Sequence, residues 1–355
     1  MPAKTPELTN SKILHVAGLE KFIPPFIKFV AQQVDGDRHT FFLTGDEKKH
    51  ALEHSHNITL ARSYPSKLIA CIDLLKKCCS ADKIILHGLS DTKIIAVLFT
   101  QPWLLKKCYW VIWGADLYSY QLAVRTWRWR VKEFFRRPVI KHIGHLVTYI
   151  EGDVEFARKW YGARGQYHEC IMYLSNVYRE YSVPQEAHSS VNIQVGNSAD
   201  PSNNHLEIFE QLLLFRDREI TLFVPLSYGD QEYAKEIIEA GTKMFGQKFK
   251  PMIDFMPFDE YLAFLGKIDI AIFNHKRQQA MGNTITLLGL GKKVYLRSDV
   301  TPWAMLEKNG VSAYDVANIS LTPIDSAIRE RNKSAIKKIF SERKLLSQLK
   351  QIFEE

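Results

Sequence analysis

Two polar segments, each lying between an apolar run and an amphipathic stretch, carry the residue types that hold a phosphorylated small molecule. The first reads VGNSADPSNNH, residues 195–205. Gly196 permits a backbone conformation and a close approach that a side chain would obstruct. Asn197, Ser198, Asn203, Asn204 and His205 put hydroxyl, amide and imidazole groups where a helix should begin, and helix-start N–H groups bind anions without a cation. An Asx-rich capping loop is the plainer alternative. The second segment reads NHKRQQAMGNT, residues 274–284. Lys276 offers phosphate a point charge and Arg277 a bidentate fork. Gln278, Gln279, Asn283 and Thr284 suit hydroxyl or amide recognition, with a solvated loop as the alternative. PLSYG, residues 225–229, ends a third apolar run and places Ser227 and Tyr228 to wrap a nucleoside.

The first half of the chain offers acids and bases instead. Asp116, in WGADLY (113–118), suits a general base for an acceptor hydroxyl, and equally suits the cap of the helix that follows. Gly18, His87 and Glu151 end neighbouring apolar runs and complete an expected acceptor side. Next comes RTWRWRVKEFFRRP, residues 125–138. At helical spacing Trp127, Val131, Phe134 and Phe135 share one face, and Arg125, Arg128, Lys132 and Arg136 the other. With Trp129, Arg130 and Arg137 this makes a basic, aromatic helix of the kind that lies in a bilayer interface. The competing expectation is a core helix with a solvated basic face.

Positioning these groups falls to short, almost continuously apolar runs at 12–17, 39–43, 83–86, 108–113 and 146–150. After residue 190 the same pattern returns at 192–195, 220–224, 250–254, 268–273 and 293–296. Helical stretches separate them, and such alternation predicts parallel sheets covered on both faces. A polar stretch at 176–190 parts the two series. The reading is two doubly wound Rossmann-like domains, residues 1–180 and 181–325, facing across a cleft, with a helical tail at 326–355. Ligands of such sheets bind outside the carboxyl ends of the strands, where every segment above falls.

Composition narrows the class. With 355 residues, 46% of them hydrophobic and 24% charged, two ordinary cores are expected. The longest apolar run, residues 94–105, is too short to span a bilayer, and residues 1–12 lack the apolar core of a signal peptide. Five cysteines without a CxxC pair are expected to be reduced thiols. There is no G-x-G-x-x-G and no Walker lysine loop, which disfavours dehydrogenases and P-loop enzymes. A net charge of +8 invites an anionic partner.

The strings HVAG (15–18), WGADLY, VGNSADPSNNH, PLSYG and RQQAMGN (277–283) resemble glycosyltransferase family 56, from about residue 12 to residue 303. The resemblance implies a GT-B fold, a TDP-deoxysugar donor in the C-terminal domain and an undecaprenyl-diphosphate-linked glycan acceptor. It also implies peripheral attachment to the cytoplasmic face of the bacterial inner membrane, in surface polysaccharide synthesis. The known activity of the family adds 4-acetamido-4,6-dideoxygalactose to the lipid-linked precursor of enterobacterial common antigen. This chain departs from the pattern after Gly18, where it has Leu19-Glu20-Lys21-Phe22-Ile23-Pro24 in place of a polar, histidine-bearing loop, so a different acceptor glycan is expected. No metal, no cofactor and no nucleic acid are expected. Arg277 and the Gly196–Ser198 backbone are expected to stabilise the leaving diphosphate, and Asp116 to serve the acceptor hydroxyl. The rival readings are a nucleotide-sugar epimerase of similar fold and a non-catalytic basic protein that binds membrane or nucleic acid.

Overall fold

The computed structural model describes residues 11–47, 50–53, 55–181 and 188–354. The chain divides into two compact units. One runs to Ser175 and includes the chain from Glu342 onward, and the other is Asn176–Ser341. Of the expected linker at 176–190, residues 182–187, Pro184 among them, lie outside the described residues.

The first unit is built on seven parallel strands: β1 (Ile13–Gly18), β2 (His39–Thr44), β3 (Ile58–Leu60), β4 (Lys83–His87), β5 (Cys108–Val111), β6 (His145–Thr148) and β7 (Gln166–Glu169), in the order β3-β2-β1-β4-β5-β6-β7. The order reverses at β1, whose neighbours are β2 and β4. The four central strands are buried on both faces, which is why they read as unbroken apolar runs. The edge strands β3 (ITL) and β7 (QYHE) have no such run, and the sequence pattern misses both. Helices Lys67–Ser80, Thr92–Thr100, Trp127–His142 and Glu151–Tyr161 follow crossovers in the same direction, so they share one face. They pack on one another in that order over a core of Leu98, Trp110, Val139, Ile140 and Leu146.

The second unit repeats the design with β8 (Val191–Val195), β9 (Ile220–Pro225), β10 (Phe249–Met252), β11 (Ile270–Phe273), β12 (Lys293–Leu296) and β13 (Tyr314–Asp315), in the order β10-β9-β8-β11-β12-β13. Here the order reverses between β8 and β11. Ile193, Leu222 and Ile272 from three adjacent strands meet Ile208, Phe209 and Ile237 from the covering helices.

The expected single tail at 326–355 is divided. Helix Ser326–Ile339 stays with the second unit against helix Met281–Gly289. Helix Glu342–Glu354 returns to the first, burying Leu345, Leu349, Ile352 and Phe353. Its apolar positions repeat every three or four residues, so one face can close a core at any distance along the chain. All five cysteines are unpaired.

Candidate functional site

The carboxyl edge of the second sheet draws the three donor segments together. Gly196 follows β8 at φ +69°, and a Cβ there would come within 2.3 Å of His205 Nε2 and 2.7 Å of Asn203 Oδ1. Asn203 Oδ1 accepts from Asn197 N (2.9 Å) and from His275 Nε2 (2.8 Å), tying the loop after β8 to the loop after β11. Two further bonds stitch the same pair of loops, Asn204 Nδ2 to Asn274 O (2.9 Å) and Ser202 Oγ to Gln279 Oε1 (2.7 Å). The loop after β9 joins them through Ala199 N to Tyr228 O (2.8 Å) and Asn197 Nδ2 to Tyr228 Oη (2.9 Å). Ser227 lies half-buried beside them.

What these loops leave unbonded is as informative. Among the described residues, Asn197 Oδ1, His205 Nε2, Asn274 Nδ2, Gln278 Oε1 and Thr284 Oγ1 are buried polar atoms without a hydrogen-bond partner. Each such group costs about 1–3 kcal/mol if it stays unmet. Two helices also start there without side-chain caps. Helix His205–Leu212 has Asn204 at its N-cap with φ +49°, and helix Met281–Gly289 has Ala280 with φ +54°. A non-glycine residue in the left-handed region costs about 1–2 kcal/mol, so both starts hold strain, and the first amide of the former, His205 N, is met by Tyr233 Oη at a long 3.4 Å.

The local charges suit an anion. Lys276 is exposed and Arg277 half-buried, its guanidinium donating to Gln278 O (3.2 Å). Burial, then the charges of Arg277 and His205, lowers the His275 pKa to about 3, and burial brings His205 to about 4. Both imidazoles are therefore neutral at pH 7. Burial opposes the charge on Asp200, but hydrogen bonds from Ser202 outweigh it, helped by Arg277 and His275, and the carboxyl stays below its usual range. Sequence reasoning gave no role to Asn274 and His275, which open its second polar segment, and missed Tyr261 and Arg297. Asn274 and His275 are buried at the end of β11. Tyr261 is set near Gln194 and Asn283, whose side chains oppose the rise that burial gives its pKa. Arg297 follows β12 and reaches Asn274 Oδ1 at 3.4 Å. A cation directly after an apolar strand was the signal available for Arg297.

The carboxyl edge of the first sheet is organised differently. Trp113 Nε1 donates to Tyr173 Oη (3.0 Å), and Tyr173 donates to His87 Nδ1 (2.7 Å). His87 Nε2 then donates to His15 Nδ1 (3.0 Å), and His15 Nε2 to His39 Nδ1 (2.8 Å). This tautomer assignment follows from the Trp113 donor at one end. Burial depresses all three imidazoles, His87 to about 3, His39 to about 4 and His15 well below its ordinary value. His87 is thus a neutral link with both nitrogens engaged, and it is not open to an acceptor. Gly18 ends β1 with open space around its Cα, and Glu151 is exposed at the first turn of helix Glu151–Tyr161.

Asp116 lies inside helix Gly114–Leu122 and is buried. Its Oδ2 accepts from Trp110 Nε1 (2.7 Å) and Leu89 N (2.8 Å), and its Oδ1 from Leu117 N (2.8 Å). Burial raises its pKa, against the opposing pull of Arg136 and of these donors. With both oxygens held inside the fold, Asp116 is placed as a brace, not as a base in reach of an acceptor. Arg136 likewise leaves the expected membrane face. It is 1% exposed and donates to Glu133 (2.7 Å), Tyr161 (2.8 Å), Ser119 Oγ (3.1 Å), Leu89 O (2.9 Å) and Asp116 O. A buried guanidinium needs this many acceptors to offset its desolvation.

The rest of helix Trp127–His142 keeps its aromatic side outward. Its buried side carries Glu133, Arg136, Val139 and Ile140. Trp127 (71%), Phe134 (68%) and Val131 (50%) face solvent, as do Phe135, Arg125, Arg128, Arg130 and Arg137, with Trp129 half-buried. The competing expectation, a core helix with a solvated basic face, fails, because the outer face is mixed basic and aromatic. No helix among the described residues is long and apolar enough to cross a membrane.

Two doubly wound parallel sheets, with a cluster of polar loops at one carboxyl edge and a C-terminal helix returning to the first unit, define a GT-B glycosyltransferase. The chain belongs to the family described as 4-alpha-L-fucosyltransferase, glycosyl transferase group 56, which matches residues 17–339. Solved structures share the fold at low identity. The Anabaena protein Alr3699/HepE, in complex with UDP and glucose, is 12% identical with a TM-score of 0.66, over 97% of this chain and 99% of that one. A glycosyltransferase from Rickettsia africae is 12% identical with a TM-score of 0.64, over 98% and 100%. WaaG, a glycosyltransferase involved in lipopolysaccharide biosynthesis, is 11% identical with a TM-score of 0.57, over 96% and 94%.

Proposed function

We propose that this glycosyltransferase takes an acetamido-deoxysugar from a nucleotide diphosphate, TDP above UDP, and passes it to a lipid-linked, undecaprenyl-diphosphate glycan. The work is placed at the cytoplasmic face of the bacterial inner membrane, in surface polysaccharide synthesis. The observation that carries the donor reading is the set of buried, unpartnered polar atoms at the β8/β11 edge beside two uncapped helix starts. Helix-start amides, Lys276 and Arg277 supply the positive field, and the unpaired amides and hydroxyl supply the contacts to ribose, base or sugar.

In the reaction the acceptor oxygen bonds to the anomeric carbon and the bond to the diphosphate breaks. Arg277 and the helix amides hold the departing charge. With Asp116 engaged internally, we assign the acceptor proton to the exposed carboxylate of Glu151. A metal ion is not required, because fixed cations and amides already oppose the diphosphate charge. The bilayer reading is supported by the solvent-facing Trp127, Val131 and Phe134 among arginines.

A thermal-shift panel with dTDP and UDP, with and without EDTA, tests the donor. At 100 times Kd a ligand adds about 2.7 kcal/mol of apparent stability. Stabilisation that vanishes with EDTA and returns with Mg²⁺ would discard the metal-free donor site.

A further inference from the structure

We propose that the pocket walled by Tyr120 and Trp129 and lined by Arg125, Arg130 and Arg137 holds the phosphate headgroup of an anionic bilayer lipid. The proposal rests on the bilayer reading above and deepens it, turning a surface attraction into a defined site.

The cavity is about 300 Å³ and lies beside the start of helix Trp127–His142. The Arg125 guanidinium sits 5.9 Å from the Tyr120 ring centre and 5.7 Å from that of Trp129. Arg137 sits 5.0 Å from the Tyr120 ring centre. Stacking on ring faces fixes a guanidinium while leaving its N–H edge available, the disposition that phosphate recognition uses.

These charges are scarcely neutralised from within. The one carboxylate lining the pocket, Glu133, gives Oε1 to the buried Arg136 at 2.7 Å and stands 4.0 Å from Arg137 Nε. Neither Arg125 nor Arg130 meets a carboxylate among the described residues. Three arginines against one engaged glutamate leave a net positive cavity, although Arg137 also donates to Trp160 O at 3.4 Å.

The surroundings choose the occupant. Val124 (81% exposed), Trp127 and Phe134 stand in water around the pocket, with Leu122 and Val131 close in sequence. Rings and arginines alone would also suit a nucleic acid, but exposed aliphatic side chains have no role in a phosphodiester groove. Beside an anion pocket they fit the acyl boundary below a phosphate headgroup. Arg128 supplies an internal control. It is equally exposed on the same helix, yet its guanidinium lies over Trp127 at 5.5 Å, outside the cavity.

The experiment uses the full chain and two lipid forms. Dihexanoyl phosphatidic acid below its micelle concentration is titrated by calorimetry. Sedimentation then compares vesicles of phosphatidic acid with vesicles of phosphatidylglycerol at matched surface charge. The wild type should bind the soluble lipid and prefer phosphatidic acid vesicles by about tenfold. The triple change Arg125→Gln, Arg130→Gln, Arg137→Gln should lose both effects, and Arg128→Gln should keep both. Arg125→Gln alone, which removes only ring contacts, should weaken soluble binding about fivefold, the equivalent of ~1 kcal/mol per basic group, with an unchanged melting temperature. Vesicle binding that follows charge alone, without soluble binding, overturns the pocket and leaves the bilayer reading standing. Soluble binding without any vesicle binding does the reverse. Tighter binding of a single-stranded oligonucleotide than of phosphatidic acid overturns the assignment to lipid.

Discussion

The two sheets reverse their strand order in the same way, yet their carboxyl edges meet their polar groups in opposite fashion. At β1/β4 the polar groups are satisfied from within. Trp113, Tyr173, His87, His15 and His39 form one continuous hydrogen-bonded chain, and Asp116 takes three donors. At β8/β11 the loops are tied together just as firmly, but Asn197, His205, Asn274, Gln278 and Thr284 each keep a buried atom unmet. A shared topology thus dictates where polar residues collect without dictating what they do. Internal pairing makes a scaffold, and in the function proposed above the unpaired remainders make a receptor.

The comparison can be broken most directly at Gly196. Gly196→Ala drives a Cβ into His205 and Asn203 at a positive φ, and should cost more than ~2 kcal/mol and abolish nucleotide binding in a thermal-shift titration. Arg277→Ala should lower kcat about 10²–10³-fold with the melting temperature unchanged, as expected for a lost contact to developing charge. Near-normal turnover would take Arg277 out of the receptor.

Acid should separate the units next. A histidine held below its unfolded pKa of about 6.5 binds its proton only on unfolding, so it removes stability as pH falls from 6.5 toward its folded value. Each can contribute up to ~1.4 kcal/mol per pH unit. The first unit carries His15, His39, His87 and His145, the last also lowered to about 4 by burial, then by His168 and Lys83. The second carries His205 and His275. Six of the seven tryptophans lie in the first unit and only Trp303 in the second. Tryptophan emission should therefore report loss of structure at a higher pH than circular dichroism does. Coincident transitions would erase the distinction.

Asp116→Asn replaces one of the two oxygens that accept from three N–H groups with a donor, and should lower stability by about 1.5–3 kcal/mol. Turnover measured well below the melting temperature should stay within about threefold, whereas a hundredfold loss would restore Asp116 as the base. Gly18→Ala should do least, within about 0.5 kcal/mol in chemical denaturation, because open space surrounds that position.

The sequence made the receptor legible because its parts sit where apolar strands stop. Three polar segments far apart in the chain proved to be one hydrogen-bonded cluster, since a parallel sheet brings its strand ends together whatever their spacing. Short edge strands escaped for the converse reason. β3, β7 and β13 are half-exposed and carry no apolar run to read. The aromatic helix was legible as amphipathic but not in its orientation. Arg136 goes inside because Glu133 on its own helix, Tyr161 and two backbone carbonyls await it, and all but Glu133 come from elements that periodicity within one helix does not register.

The returning helix Glu342–Glu354 has a consequence for synthesis. Phe353 packs edge-on against His15 and His39, and Ile352 O accepts from Lys83 Nζ at 2.7 Å, so the first unit's core includes residues made after the whole second unit. Chains elongate at about 5–20 residues per second, and domains otherwise tend to mature from the amino end. Here the order is inverted. The second unit can finish while the first waits, its His15 and His39 rings uncovered on that side until helix Glu342–Glu354 leaves the ribosome.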